Sequence, residues 1–276
     1  MEFENIIIEP RSSEKNYWRD VWKYRDLIFI LTWRDIKVRY KQTALGITWA
    51  LIKPLLTMIV FVIVFGKIAG LNKTVTTPYP LIVIAGLIPW QFFSTGFQSA
   101  SESLISNSNL LTKVYFPRLV IPISAVLTSI IDYFISYIIL FFILIYYKSS
   151  LNINAFYLIF FSLLIFILSL SFGLLFATLN VKYRDFRYII PFFVQFGLYI
   201  TPVGFLTSAI PSKWIKFAYL NPLTSIIDGF RFSLFSESTA SPFNSYLLYS
   251  ILFSIFLLAY SISKFRKFEK TFADII

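Results

Sequence analysis

Six long apolar stretches constrain what this chain can fold into more than any other feature of its sequence. They cover residues 46–65, 81–103, 119–146, 155–180, 188–206 and 245–263. A helix needs about 20 predominantly apolar residues to cross the hydrocarbon core of a bilayer, and each stretch is close to or above that length. Only 14% of the residues are charged, compared with about 25% in an average soluble domain. The sequence therefore predicts an all-α integral membrane protein with six transmembrane helices.

The distribution of basic residues predicts how these helices are oriented. Cytoplasmic loops carry an excess of Lys and Arg. If the N-terminus is cytoplasmic, 18 of the 25 basic residues fall in inner segments, 6 fall in outer segments, and Lys53 lies inside the first stretch. An even number of crossings then places both termini in the cytoplasm. Residues 1–15 contain four Glu and no long apolar run, so we expect no cleavable signal peptide.

The residue types that are missing exclude most catalytic chemistry. The chain has no cysteine and no histidine, which excludes thiolate nucleophiles, histidine bases and the usual zinc sites. We therefore predict no catalytic residue and no metal site. None of the nine glycines begins a phosphate-binding G-x-x-x-x-G-K-[ST] loop. A transport function would therefore draw its energy from a partner protein or an ion gradient. The net charge of +11 is attributed to membrane topology, not to nucleic-acid binding.

We divide the chain into a cytoplasmic N-terminus (1–45), a transmembrane domain (46–264) and a cytoplasmic tail (265–276). The N-terminal part contains an aromatic stripe at helical spacing with basic residues beside it, which predicts an amphipathic helix in the plane of the membrane interface. It either anchors the chain to anionic lipid or also holds a partner protein. Its candidate residues are Phe29, Trp33, Arg34, Ile36, Lys37, Arg39 and Tyr40.

The inner loop between the second and third stretches predicts a short cytoplasmic helix that Pro117 ends. Its apolar residues are costly in water, so we expect them either to fit a groove of a soluble partner or to dip into lipid headgroups. This candidate coupling helix consists of Asn109, Leu110, Leu111, Lys113, Val114, Tyr115 and Phe116.

The outer connection, residues 207–244, contains two short apolar helices that are broken at Pro222. Non-helical backbone at membrane depth is tolerated only where protein or a cavity covers it, so we predict re-entrant helices that form an outer gate. The alternative is a pair of interfacial helices with no gating role. The candidate gate residues are Trp214, Phe217, Tyr219, Asn221 and Pro222.

Two charges inside the apolar stretches, Lys53 and Asp132, each cost about 2.5–3.5 kcal/mol on insertion scales, so each should face protein or water. Lys53 either attracts a pyrophosphate group or extends to the inner interface. Asp132 is either a proton-coupling site or a helix–helix contact with Ser129 and Ser136 nearby. The sequence alone does not decide between the two interpretations of Lys53 or between the two interpretations of Asp132.

Several motifs occur in a combination that resembles the ABC-type polysaccharide-export permeases. They are residues 34–43, Leu45-Gly46, Trp49, Lys53-Pro54-Leu55, residues 86–90, residues 107–117, residues 180–185 and Asn221-Pro222. The resemblance covers essentially the whole chain, although relatives often carry an uncharged residue at the position of Lys53.

The resemblance implies a homodimer in the bacterial inner membrane, joined to two copies of a cytoplasmic ABC ATPase that binds ATP and Mg. This chain would bind no cofactor, and the cargo would be lipid-linked O-antigen, capsule or teichoic-acid polysaccharide. Aromatic rings suit a wall along which sugars slide, although the same rings also suit packing against lipid. The candidate wall residues, with Lys53, are Trp49, Trp90, Phe92, Phe93, Phe97, Phe193, Phe196 and Tyr199.

Three other functions stay open at this point. An ABC exporter of small hydrophobic cargo would use the same architecture. An ion-coupled carrier would show internal repeats and paired midplane charges, and the sequence has neither. A membrane enzyme acting on glycans would need an outer cluster of acids and bases, for which Asp228, Arg231 and Glu237 are the sole candidates.

Overall fold

A computed structural model of the protein describes residues 13–41, 46, 48–149, 153–183, 185–235 and 242–269. These residues form α-helices joined by short connections, and no β-strand occurs among them. Glu237, residues 1–12 and 42–45 of the predicted N-terminal segment and residues 270–276 of the predicted tail lie outside the described residues. The helices are α1 (Ser13–Lys23), α2 (Arg25–Lys41), α3 (Thr48–Phe61), α4 (Tyr79–Ser106), α5 (Ser108–Lys113), α6 (Val120–Tyr146), α7 (Tyr157–Lys182), α8 (Phe186–Ile200), α9 (Ser212–Leu220), α10 (Pro222–Leu234) and α11 (Ser245–Glu269).

Five of the described helices are long and apolar enough to cross a membrane: α3 with its π-helical continuation Val62–Ile68, α4, α6, α7 and α11. The fifth predicted span forms only the 15-residue helix α8, which is about 22 Å long and shorter than the hydrocarbon core of about 30 Å. It ends because Thr201 precedes Pro202 and adopts an extended conformation with ψ 138°. The structure therefore confirms an all-α membrane fold, but not six full-length spans.

Helix α4 is the centre of the bundle. In the most apolar 18-residue stretch of α4, 83% is buried in the bundle, whereas in the most apolar stretch of α3 only 17% is buried. It contacts α3, α6, α7, α8 and α10. Close approach to α7 depends on small residues, because a Cβ atom at Gly173 would overlap the methyl group of Ala100. The bundle therefore places one face of α4 against each of its neighbours, and only part of the helix remains open.

Helix α2 runs beside α6 in the same direction. The hydroxyl of Thr32 lies 3.4 Å from the carbonyl oxygen of Ser124, and the Arg39 guanidinium lies 2.7 Å from the Asp132 carboxylate. The step of seven residues from Thr32 to Arg39 thus runs alongside the step of eight residues from Ser124 to Asp132, so the two helices are parallel. Helix α2 therefore packs along α6 as far as the middle of that helix, and its orientation relative to the membrane plane stays a prediction.

The outer connection contains the two predicted helices, α9 and α10, with the break at Pro222. Asn221 caps α10, since its side-chain oxygen accepts a hydrogen bond from the backbone N–H of Leu223 at 3.1 Å. No residue of α9 is buried, whereas twelve of the thirteen residues of α10 are buried against the bundle. The two helices therefore have different environments: α10 belongs to the core and α9 lies at its surface.

Arg231 of α10 holds the non-helical segment that follows α8. Its guanidinium is fully buried and donates hydrogen bonds to the carbonyl oxygens of Val203 at 2.6 Å, Phe205 at 2.9 Å and Ile82 at 3.3 Å. The hydroxyl of Tyr79 donates to the carbonyl of Gly204. These donors supply the partners that buried, irregular backbone requires.

Candidate functional site

A cavity of about 640 Å³ lies among α2, α3, α4, α6 and α8. Four of the nine predicted wall residues line it: Trp49, Lys53, Trp90 and Phe92. Lys53 is exposed and lies at the open side of the cavity. The cavity thus combines two indole rings, a phenyl ring and a cation.

A polar stripe on α4, which we define as Gln91, Thr95, Gln98 and Glu102, also lines the cavity. The spacings of four, three and four place these residues on one helical face. The Thr95 hydroxyl donates to the carbonyl of Gln91 at 2.7 Å, whereas neither glutamine amide has a hydrogen-bond partner among the described residues. Each amide can therefore donate and accept hydrogen bonds inside the cavity.

Helix α2 contributes an ion pair to the cavity wall. The Arg39 guanidinium donates to Asp132 at 2.7 Å and to the hydroxyl of Ser99 at 3.4 Å, and the Tyr40 hydroxyl also donates to Asp132. Asp132 therefore forms a helix–helix contact with Arg39 and Tyr40. The predicted neighbour Ser136 bonds only the backbone carbonyl of Asp132, at 2.8 Å.

The remaining predicted wall residues do not line this cavity. Phe93, Phe97 and Phe193 join an aromatic cluster with Phe172 and Phe176, with ring centroids 5.1–6.1 Å apart. Such spacing is typical of core packing, and it separates these rings from the polar stripe.

Phe196 and Tyr199 lie on the exposed face of α8, where 55% and 59% of their surfaces are accessible. The Phe196 ring stacks on Phe192 with their centroids 5.9 Å apart. An exposed aromatic face of a membrane helix suits contact with lipid or with a second subunit.

The coupling segment is a shorter helix than predicted. Helix α5 ends at Lys113, and Val114 is extended with φ −131° and ψ 135°. Leu111 and Phe116 are buried in the bundle, whereas Val114 and Tyr115 are exposed. The prediction that Leu111 faces a partner is wrong, because that side chain packs inward with Phe116.

The other predicted coupling residues flank the exposed pair. Asn109 and Lys113 are exposed, and Leu110 is half-buried. The outward surface of the coupling segment therefore mixes polar groups with two exposed apolar side chains. This composition suits contact with a soluble partner protein.

The interface helix touches the coupling segment directly. The Arg34 guanidinium donates to the side-chain oxygen of Asn107, the residue before α5, at 2.7 Å. On the face of α2 that points away from the bundle, Phe29 and Trp33 are exposed, and the Lys37 ammonium lies 5.3 Å from the centre of the Trp33 ring. Ile36, by contrast, is half-buried. Helix α2 therefore connects the coupling segment at one end with the cavity at the other.

The predicted gate residues divide between surface and contact positions. Trp214 and Phe217 are exposed on α9. Tyr219 donates to Asp228 at 2.9 Å and stacks on Tyr246 with centroids 4.3 Å apart. Burial, with Asp228 nearby, raises the pKa of Tyr219 to about 12, so this phenol stays protonated at neutral pH and remains a hydrogen-bond donor.

Comparison with known proteins agrees with this architecture. The profile of the ABC-2 type transporter family matches residues 26–235, which include α2, the cavity, the coupling segment and α10. The chain belongs to the ABC-2 type transporter family. It is therefore a transporter permease, as the resemblance implied.

Members of known role show further similarity to this permease. The chain is 31% identical to the O-antigen export system permease protein RfbA of Klebsiella pneumoniae, over 91% of this chain and 95% of that protein. It is 29% identical to the protein of the same name from Myxococcus xanthus, over 77% and 82%. It is 24% identical to the polysialic acid transport protein KpsM of Escherichia coli, over 71% and 76%.

Two features of this ABC-2 permease were missed in the sequence. The polar stripe carries a signal that was readable: four polar residues recur at helical spacing in an otherwise apolar span. The buried role of Arg231 had no such signal, because it depends on three carbonyl groups from two distant segments. Only the folded chain brings those groups together.

Proposed function

We propose that this chain is the permease subunit of an ATP-driven exporter of lipid-linked polysaccharide of the O-antigen or capsule type. The observation that carries the proposal is the lining of the cavity, where free amides of the polar stripe lie beside Trp49 and Trp90. Two named relatives are O-antigen export permeases and a third is a polysialic acid transport protein, which supports the same cargo class.

The chemistry of the cavity suits sugars better than small hydrophobic cargo. Sugar hydroxyls can satisfy the donors and acceptors of Gln91 and Gln98, while the C–H faces of a sugar ring pack on the indoles. A hydrophobic cargo would instead leave both amides desolvated and unpaired, which costs about 1–3 kcal/mol for each group. The open glutamines therefore favour a hydroxyl-rich chain.

Lys53 and Arg39 add positive charge to this cavity. The phosphate groups of a lipid carrier need such partners, and Lys53 is the more available of the two because Arg39 is paired with Asp132. We propose that Lys53 attracts the pyrophosphate of the cargo.

The assembly in this proposal is a homodimer with two copies of a cytoplasmic ABC ATPase. ATP and Mg would bind to the ATPase, since the sequence of this chain has no phosphate-binding loop. Both termini would be cytoplasmic and the membrane would be the bacterial inner membrane. Residues 1–45, 46–264 and 265–276 remain the proposed division into N-terminal segment, transmembrane domain and tail.

Helix α2 is the proposed route by which ATPase movement reaches the cargo. The ATPase would contact the exposed Val114 and Tyr115. Arg34 bonds Asn107 beside them, and Arg39 bonds Asp132 in the cavity wall. Displacement of the coupling segment would therefore move α2 and, with it, one side of the cavity. The α9–α10 hairpin would act as the outer gate.

Deletion of the gene tests the proposal. Loss of surface polysaccharide, with a lipid-linked chain accumulating inside the cell, is the expected result, and a wild-type copy should restore the surface form. A copy with Gln91→Leu and Gln98→Leu should insert normally but restore little export, since leucine keeps the size and removes the hydrogen bonds. Normal surface glycans in the deletion strain would overturn the polysaccharide assignment.

A further inference from the structure

A groove of about 1500 Å³ lies between α1, the coupling segment and the C-terminal half of α11. One wall is an apolar face of α11 formed by Ile255, Leu258, Ala259 and Ile262, at spacings of three, one and three. These residues lie within a helix that is apolar enough to cross a membrane. The wall is therefore at bilayer depth, where a soluble partner such as the ATPase has no access.

Basic and aromatic side chains line the end of the groove that lies beyond this wall. Lys23, Arg266 and Lys267 supply positive charge, and Trp18 supplies an exposed indole ring. An apolar wall that ends in basic and aromatic groups is the arrangement that holds the headgroup of an anionic lipid at the membrane interface.

The two acids in the groove offset only part of the positive charge of this cluster. The Glu269 carboxylate accepts a hydrogen bond from the backbone N–H of Arg118 at 2.7 Å, while the Arg118 guanidinium donates to the Glu269 carbonyl. The Arg266 guanidinium lies over the Tyr17 ring at 4.5 Å. Asp20 is the other acid in the lining. The lining therefore holds four cations, Lys23, Arg118, Arg266 and Lys267, and two acids, so that positive charge is in excess.

The size of the groove also favours a lipid. Sites for small molecules are usually about 300–1,000 Å³, and this groove is larger and follows α11 from Ile255 to Glu269. A long-chain amphiphile fits these features, because its acyl chains can cover the apolar wall while its phosphate meets the cations.

We propose that this groove is a binding site for an anionic phospholipid of the inner leaflet. The acyl chains lie along Ile255, Ala259 and Ile262, and the phosphate binds Lys23, Arg266 and Lys267. Because α1 and the coupling segment form the other walls, a bound lipid braces the surface that contacts the ATPase. The assignment to the inner leaflet rests on the cytoplasmic orientation proposed above.

The test uses the full chain, purified in detergent without the ATPase and without cargo. Retained lipid is measured by native mass spectrometry, and the thermal midpoint is measured with added phosphatidylglycerol or phosphatidylcholine. Phosphatidylglycerol should bind and raise the midpoint, whereas phosphatidylcholine should have little effect. Equal effects of the two lipids would overturn the proposal.

Variants locate the site. Each basic side chain near a membrane surface strengthens anionic lipid binding about fivefold, so Arg266→Gln with Lys267→Gln should weaken phosphatidylglycerol binding by about 25-fold. Because Arg266 also stacks on Tyr17, the exposed Lys267→Gln alone provides a second measure, with about fivefold loss. Lys264→Gln is the matched control, since Lys264 lies over Tyr260 and outside the groove.

The apolar wall has its own test. Ala259→Phe should fill the groove and abolish retention of the lipid, whereas Leu252→Phe, on the same helix but outside the groove, should not. If the controls weaken binding as much as the groove variants, the site is elsewhere. If a polyprenyl diphosphate displaces phosphatidylglycerol at equal concentration, the groove belongs to the cargo lipid and the phospholipid assignment fails. Since this assay needs no transport, normal lipid binding together with normal surface glycans in the deletion strain would overturn only the proposed function.

Discussion

At the scale of single residues, Arg231 explains how irregular backbone is held inside the bundle. Buried carbonyl groups without donors cost about 1–3 kcal/mol each. This guanidinium supplies donors to the irregular segment at Val203 and Phe205 and also bonds the Ile82 carbonyl of α4. Asp228, at 3.9 Å, provides an opposite charge. The planar fork of arginine holds five N–H donors in a fixed geometry that suits acceptors on two segments, whereas lysine has three donors on one compact ammonium.

Arg231→Met should therefore lower the free energy of unfolding by at least about 3 kcal/mol, because it leaves the carbonyls and Asp228 without their partner. The thermal midpoint in detergent, followed by size-exclusion chromatography, measures the loss. Arg231→Lys should recover only part of it. The exposed Lys216→Met serves as the control, and an unchanged midpoint for Arg231→Met would contradict the role assigned here.

The Arg39–Asp132 pair makes a second prediction at this scale. Both side chains are about one-third exposed or less, at 34% and 26%, so the pair is partly screened and should contribute about 1–2 kcal/mol of coupling energy. A double-mutant cycle with Arg39→Gln and Asp132→Asn measures that energy. Additive effects of the two substitutions would show that α2 is held to α6 by other contacts.

At the scale of elements, the coupling segment separates residues that hold the fold from residues that are free to contact a partner. Leu111 is 8% exposed and Tyr115 is 66% exposed. Leu111→Ala should destabilise the permease by about 2–3 kcal/mol. Tyr115→Ala should change stability by less than about 0.5 kcal/mol and should still reduce the ATPase activity of the reconstituted complex. Normal ATPase activity in Tyr115→Ala would argue against docking at this segment.

The contact of α10 with α7 depends on a glycine. A Cβ atom at Gly229 would overlap the ring of Phe161, and both residues are buried. Gly229→Ala should therefore cost about 1–3 kcal/mol by overpacking, measured as a lower thermal midpoint. Combining it with Phe161→Leu should restore part of the loss, since the smaller side chain leaves room for the methyl group. If the double variant is less stable than the sum of the single effects, the contact is not the cause.

At the scale of the whole molecule, the lack of cysteine allows a direct test of orientation. Asn72 lies between α3 and α4, Lys113 lies at the end of α5, and both are exposed. A membrane-impermeant maleimide should label Asn72→Cys in intact spheroplasts and should label Lys113→Cys only after permeabilisation. The wild-type chain provides an unreactive background. The reverse pattern would invert the proposed topology and move the lipid groove to the outer leaflet.

The α9–α10 hairpin and the span helices show how much was readable from the sequence. Long apolar runs, the break at Pro222 and the motifs of the family are local features, so they predicted the helical class, the order of the elements and the family. Trp49, Lys53 and Trp90, which were candidates for the substrate pathway, line one cavity, and their role in transport stays a prediction.

Which segments a given side chain packs against could be known only from the folded chain. The affinity of aromatic rings for sugars made Phe93 and Phe97 candidates for a pathway wall. Instead, Phe93 packs against α7 and Phe97 packs against α7 and α8, because a chain rich in aromatic residues has many equivalent partners. The pairing of Arg39 with Asp132, 93 residues away, and the clamp by Arg231 likewise depend on long-range packing. Local sequence determined which helices form and that they are apolar enough for a membrane. Tertiary structure decided which of their faces meet, because packing contacts and buried hydrogen bonds form between segments that are far apart in the sequence.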